Sequence, residues 1–122
     1  MANEITYAVS IQASKGGASI SSGTMSDTIN MAGVDMGTVT QAIGTTNEAL
    51  DVPADVSGDV HLVVKNLDSA NYVEIFKDSG NSHLLSKLNA GESCSLRNVP
   101  AASLYGRANT AACQIQFWIC ET

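Results

Sequence analysis

His61 and His83 stand in a chain that also holds serines, aspartates and three cysteines, the raw material of nucleophilic catalysis and of metal binding. A Ser-His-Asp triad, however, is defined by geometry and not by inventory. The GxSxG turn that exposes a nucleophilic serine does not occur in the sequence. Each histidine begins or flanks a run that reads as a strand, where an exposed or interfacial imidazole is the ordinary outcome. "DSGNSH", Asp78 to His83, offers oxygens to a hard cation. Glu92 is not at the spacing where an EF-hand places its distal carboxylate, and a polar hairpin turn accounts for Asp78, Gly80 and Asn81. "SKGGAS" puts two glycines beside Lys15 without GxxxxGK[ST] or a following helix, so it reads as a tight turn and not a phosphate cradle. Cys94, Cys113 and Cys120 have no CxxC spacing, and Cys94 with His83 is not a zinc-ligand pattern. They read as small buried thiols of a reducing compartment. No residue is assigned a catalytic, cofactor-binding or metal-binding role, no cofactor is expected, and the chain is expected not to be an enzyme.

The elements that carry these residues are short strands. "ITYAVSIQA" alternates Ile5, Tyr7, Val9, Ile11 and Ala13 with Thr6, Ala8, Ser10 and Gln12, the period of a strand with one apolar face. Lys15-Gly16-Gly17 is a turn, and the Ser/Thr-rich stretch after it suits an exposed or edge strand. Residues 32–59 are the least regular, with Gly33, Gly37, Gly44, Pro53 and Gly58 as punctuation. One strand is expected near Gly37–Ile43 and another near Ala49–Val52, with a helical turn near Asn47–Leu50. In "HLVVKNLDSANYVEIF", His61–Asn66 and Tyr72–Lys77 read as the two arms of a hairpin. Asn66 and Asp68 are placed to accept backbone N–H groups two or three residues on, which closes the bend without any ligand. His83–Leu88, Ser93–Arg97 and "SLYGRAN" add strands, Gly91 sits where φ turns positive, and Pro100 interrupts. "CQIQFWICE" is the strongest alternation and carries the only Trp, so it is expected at the centre of its sheet. About eight strands at this spacing predict an all-β chain, one β-sandwich or jelly-roll-like barrel over residues 1–122.

The chain has 122 residues and 44% hydrophobic residues, enough for a core without disulfide or metal staples. Only 15% are charged, so Ser, Thr, Asn and Gln must cover the surface, as in proteins with extensive neighbour contacts. The net charge of −6 and six scattered basic residues oppose nucleic-acid binding, which needs clustered cations. "MANEITYAVS" has neither the basic region nor the apolar core of a signal peptide, and no apolar run reaches a membrane span. Six aromatics make a thin carbohydrate platform, to which Tyr72, Tyr105 and Trp118 could contribute.

"LVVKNLDSANYVEIF" followed by "KLNAGESCSLRNVPAASLYGRANTAACQIQFWICE" resembles a group of small virion proteins of tailed bacteriophages. In that group a strand ending in Asn-Leu-Asp precedes an "NYVE" strand, an "LxxGE" turn, "LYAxAN" and a closing strand. "ITYAVSIQASKGGASIS" and "IGTTNEAL" are similar too, so the likeness covers most of the chain. Gly106, where alanine is usual, and the cysteines depart from it. The resemblance implies a structural role, first a capsid decoration or cement protein that stabilises the head by non-covalent contacts. Its partners would be itself, as a homotrimer, and the major capsid protein, with no nucleic acid, membrane or small-molecule substrate. It would be made in the host cytoplasm and sit on the capsid surface. A neck, tail or fibre component, with a host-receptor or glycan site, is the alternative; a small hydrolase comes third. Residues through Ile11, as an arm or first strand, and Ala32–Asp59 are expected at intersubunit contacts.

Overall fold

The N-terminal alternation folds as a two-stranded ribbon. In the computed structural model, which describes residues 4–122, β1 (Ile5–Val9) pairs antiparallel with β4 (Met25–Ile29). Beyond it β2 (Gln12–Lys15) pairs with β3 (Ala18–Ser21). Gly16 and Gly17 link them with φ of +60° and +87°. Positive φ at both central residues gives the turn whose twist matches that of paired strands, and glycine adopts it without a Cβ clash. Between the two pairs, residues 10–11 face residues 22–24, an extra residue on one side that makes a bulge. The ladder holds across it: Ser22 N–H donates to the Ile11 carbonyl at 3.0 Å and Ile11 N–H to Ser22 Oγ at 2.9 Å.

The sequence reads as one β domain over 1–122; the chain itself divides into two compact units, this ribbon unit ending at Ala32 and a second spanning Gly33–Thr122. The second holds eight strands: β5 (Met36–Ile43), β6 (Glu48–Ala49), β7 (Asp59–Asn66), β8 (Val73–Phe76), β9 (Leu84–Leu88), β10 (Ser93–Pro100), β11 (Tyr105–Ala108) and β12 (Cys113–Glu121). They form two antiparallel sheets, ordered β10-β7-β12-β5 and β6-β11-β8-β9. Ile43, Leu62, Val64, Ile75, Leu104, Ile115 and Phe117, each at most 1% exposed, fill the space between them. This is a β-sandwich, and the sheets do not close into the barrel that the sequence also allowed. As expected, β12 is central, between β7 and β5.

The β7–β8 hairpin expected from the sequence does not form. β7 lies in the first sheet, whereas β8 pairs with β9 and β11 in the second. The bend therefore arches over the core. Its Asx chemistry is as read: Asp68 N–H donates to Asn66 Oδ1 at 2.9 Å, and Ala70 and Asn71 N–H donate to Asp68 Oδ2 at 2.9 and 2.6 Å. These two donors hold the Asp68 carboxyl below its usual range. What decides the arch is Asn66 Nδ2, which is buried and donates to the carbonyls of Asn71, Leu88 and Asn89. Leu88 belongs to the opposite sheet, so one amide joins both layers. Of the consecutive strands in this unit, only β8 and β9 are partners; every other connection changes sheet.

Three further details differ from expectation. The second strand of residues 32–59 is only Glu48–Ala49, and the 3-10 turn lies at Ala101–Ser103 instead of near Asn47–Leu50. Pro100 ends a strand instead of interrupting one, which an edge strand such as β10 tolerates because proline's missing N–H has no ladder partner to serve.

Candidate functional site

The sandwich presents two outer faces of different chemistry. On the β10-β7-β12-β5 face, pairing sets the neighbours: Trp118 between Thr38 and Val63, Gln116 between Thr40 and Lys65, and Cys120 between Met36 and His61. Met36, Trp118 and Val63 are 61%, 41% and 36% exposed. The face is rich in threonine and glutamine and crossed by an apolar strip.

His61 lies at its side, nearly covered although it points away from the core. Its Nε2 is 2.9 Å from Ser95 Oγ on β10. Burial and then the Arg97 guanidinium lower its pKa, so the imidazole is neutral at neutral pH. A neutral histidine on a serine hydroxyl is half of an activated-nucleophile arrangement. Only Ser95 of the pair is exposed, and Cys120, the cross-strand neighbour of His61, is no substitute nucleophile because burial raises that thiol's pKa. Cys94 and Cys113 are pushed up in the same way, mainly by burial, so all three free thiols stay protonated at neutral pH.

The β6-β11-β8-β9 face is charged and aromatic. Glu74 lies between Arg107 and Lys87 on neighbouring strands, with Arg107 Nη2 2.9 Å from Glu74 Oε1. Lys87 Nζ sits 4.1 Å above the Tyr72 ring, and the Arg107 guanidinium 5.2 Å from the Phe76 ring. Each cation thus has a partner on the face itself. Tyr72 and Tyr105 belong here and Trp118 to the other outer face, so the three aromatics cannot line one sugar groove.

His83 is at the rim, 22 residues along the chain from His61 and in a different turn. Asp78 accepts the N–H groups of Ser82 at 3.1 Å and His83 at 3.0 Å, and His83 Nδ1 lies 3.7 Å from its Oδ2. Desolvation pushes the Asp78 pKa up, but those donors outweigh it and hold it below its usual value. "DSGNSH" is a self-satisfied turn, with Asn81 at φ +58° hydrogen-bonded to Asn47. Among the described residues no group of three or more His, Cys, Asp or Glu is placed to hold a metal ion. A depression of about 290 Å³ lined by Leu50, Val52, Pro53, Val56 and Ala101 carries no titratable side chain.

Two buried polar residues do structural work that the sequence did not flag. Gln41 faces inward from β5; its Nε2 donates to Ala49 O at 3.0 Å, and its Oε1 accepts Asp51 N–H at 2.8 Å. It thereby mimics a ladder partner for the segment beneath. Glu121 accepts Ser57 N–H at 2.9 Å and Asp35 N–H at 3.4 Å. Its carboxylate fills the space where a side chain on Gly33 would go, 1.8 Å from an ideal Cβ. A polar residue at an inward position of an alternating strand was the available signal for both.

In the ribbon unit, Val9, Ile11, Ile20 and Met25 are 47%, 59%, 60% and 54% exposed. Comparison with family models, with curated proteins and with solved structures finds no match.

Proposed function

We propose that this chain is a structural protein of a bacteriophage virion, most simply a capsid decoration or cement protein that stabilises the head through non-covalent contacts. The observation that carries the reading is where the exposed apolar side chains lie. Among the described residues, seven of the ten exposed large apolar side chains occupy a sheet face, Met36–Trp118–Val63, and a ribbon, and both can bury area against another protein; Val34, Leu67 and Leu84 lie elsewhere. The sequence likeness to small phage virion proteins supplies the kind of assembly. The partners are sister copies, as a homotrimer, and the major capsid protein. Threonine and glutamine between the apolar groups lower the desolvation cost of such contacts. The acidic net charge suits an outer layer kept apart from packaged DNA.

Copy number in purified particles, by gel densitometry, tests this. A decoration protein is present in many copies per head, and its removal lowers particle resistance to heat. A copy number fixed by tail symmetry moves the protein to a neck, tail or fibre position. The receptor form of that alternative has one favourable observation, the tyrosines beside the Glu74–Arg107 pair. Glycan binding there would protect Tyr72 and Tyr105 and leave Trp118 fluorescence unchanged.

A further inference from the structure

We propose that the ribbon Ile5–Ile29 packs face to face and antiparallel against the ribbon of a second copy of this chain, about a twofold axis at Ile11. The ribbon has one apolar face. Register puts Tyr7 beside Asp27, Val9 beside Met25, Ala13 beside Ile20 and Lys15 beside Ala18. Alternation along the first strand places Tyr7, Val9, Ile11, Ala13 and Lys15 on one side, with Ala8, Gln12 and Ser14 on the other. A two-stranded ribbon is marginally stable in water unless its apolar face is covered. The four large side chains left 47–60% exposed, Val9, Ile11, Ile20 and Met25, all fall between the levels of Val9 and Ala13.

The charges on that face choose the occupant. It carries one acid, Asp27, level with Tyr7, and one base, Lys15. These levels are equally far from Ile11, four residues to either side. Turning a second ribbon about Ile11 sets the Val9–Met25 level of one copy on the Ala13–Ile20 level of the other. It also brings Asp27 of each copy level with Lys15 of its mate, one strand across and within reach of the lysine stem. Two ion pairs then flank one apolar stripe. A parallel arrangement would stack like charges instead. The face from Tyr7 to Lys15 is about 30 Å long at ~3.4 Å per residue and about 10 Å wide, so two copies bury on the order of 600 Å² together. That is below the usual size of a permanent interface and fits a reversible contact that becomes effective when copies are held close together. The pairing is independent of the virion role, and in a trimeric assembly it would link one trimer to the next.

The test is sedimentation equilibrium of the full chain across a concentration series. K15E and D27K should each weaken the twofold association about tenfold or more, because each puts like charges together twice. The double variant K15E/D27K should restore it to within a few-fold of the parent. Ile20→Ser should weaken association without moving the unfolding midpoint of the sandwich, read by Trp118 fluorescence. The proposal is overturned if the parent shows no twofold step, if the double variant associates no better than the singles, or if Ile20→Ser leaves association intact. None of these outcomes bears on copy number in the particle.

Discussion

Ribbon and sandwich use the same period-two alternation and reach opposite ends with it. In β12, Cys113, Ile115, Phe117 and Ile119 are at most 2% exposed because a second sheet covers them. In the ribbon, Val9, Ile11 and Ile20 follow the same rule and remain about half exposed or more. Alternation specifies a face; only a second layer turns the face into a core. The difference teaches that the sandwich carries its own stability, whereas the ribbon's apolar side chains are available for work between molecules.

The sharpest way to break this comparison is a pair of truncations. Phe117→Ala should cost about 3–5 kcal/mol of stability, as large core deletions do, whereas Ile20→Ala should change the monomer by less than about 0.5 kcal/mol. Equal losses in denaturant titrations would mean that the ribbon is part of the core. Next in size, Asn66→Ala should cost about 3 kcal/mol, because the carbonyls of Asn71 in the bend and Leu88 in the opposite sheet lose their donor. Gly33→Ala should cost about 1–2 kcal/mol by pushing Glu121 off the Ser57 N–H. A melting temperature unchanged in that variant would show that the carboxylate has room to move.

Acid sensitivity should localise to the sandwich as well. Asp68 has a folded pKa below its unfolded value, so the unfolded chain binds the proton first as pH falls. Its contribution is complete above the ordinary aspartate range and is lost as pH drops through the folded pKa. His61 behaves with the same sign from a higher start, losing stability as pH falls below about 6.5. Unfolding midpoints measured from pH 8 to 3 should fall in two stages. His61→Gln should remove the first, and Asp68→Asn should shrink the second, to which Asp78 also contributes. The smallest effect is expected from ribbon charges: Lys15→Ala should leave the sandwich midpoint within experimental error.

Strand identity was legible wherever side-chain alternation was unbroken, as in "ITYAVSIQA" and "CQIQFWICE". Turn chemistry was legible at Asn66, Asp68 and Gly16-Gly17, because those residues satisfy backbone groups or adopt positive φ locally. Sheet membership was not. A strand followed by an Asx turn and another strand fits a hairpin and an arch equally, and the choice lay with a donor reaching Leu88, 22 residues away. The Ser95–His61 contact was hidden for the same reason: cross-strand register, set by distant residues, brought them together. The division of the aromatics between two faces likewise follows from which sheet each strand joins.

The position of β12 has a consequence for biogenesis. It lies between β5 and β7, and the chain changes sheet at nearly every step before it. A ribosome-bound chain that has emerged only as far as Arg107 would leave both of those neighbours with an unmatched margin, so the sandwich can zip shut only after Cys113–Glu121 has appeared. Closure of this module therefore waits for its last strand, and it is slow for its length because its pairings join remote segments.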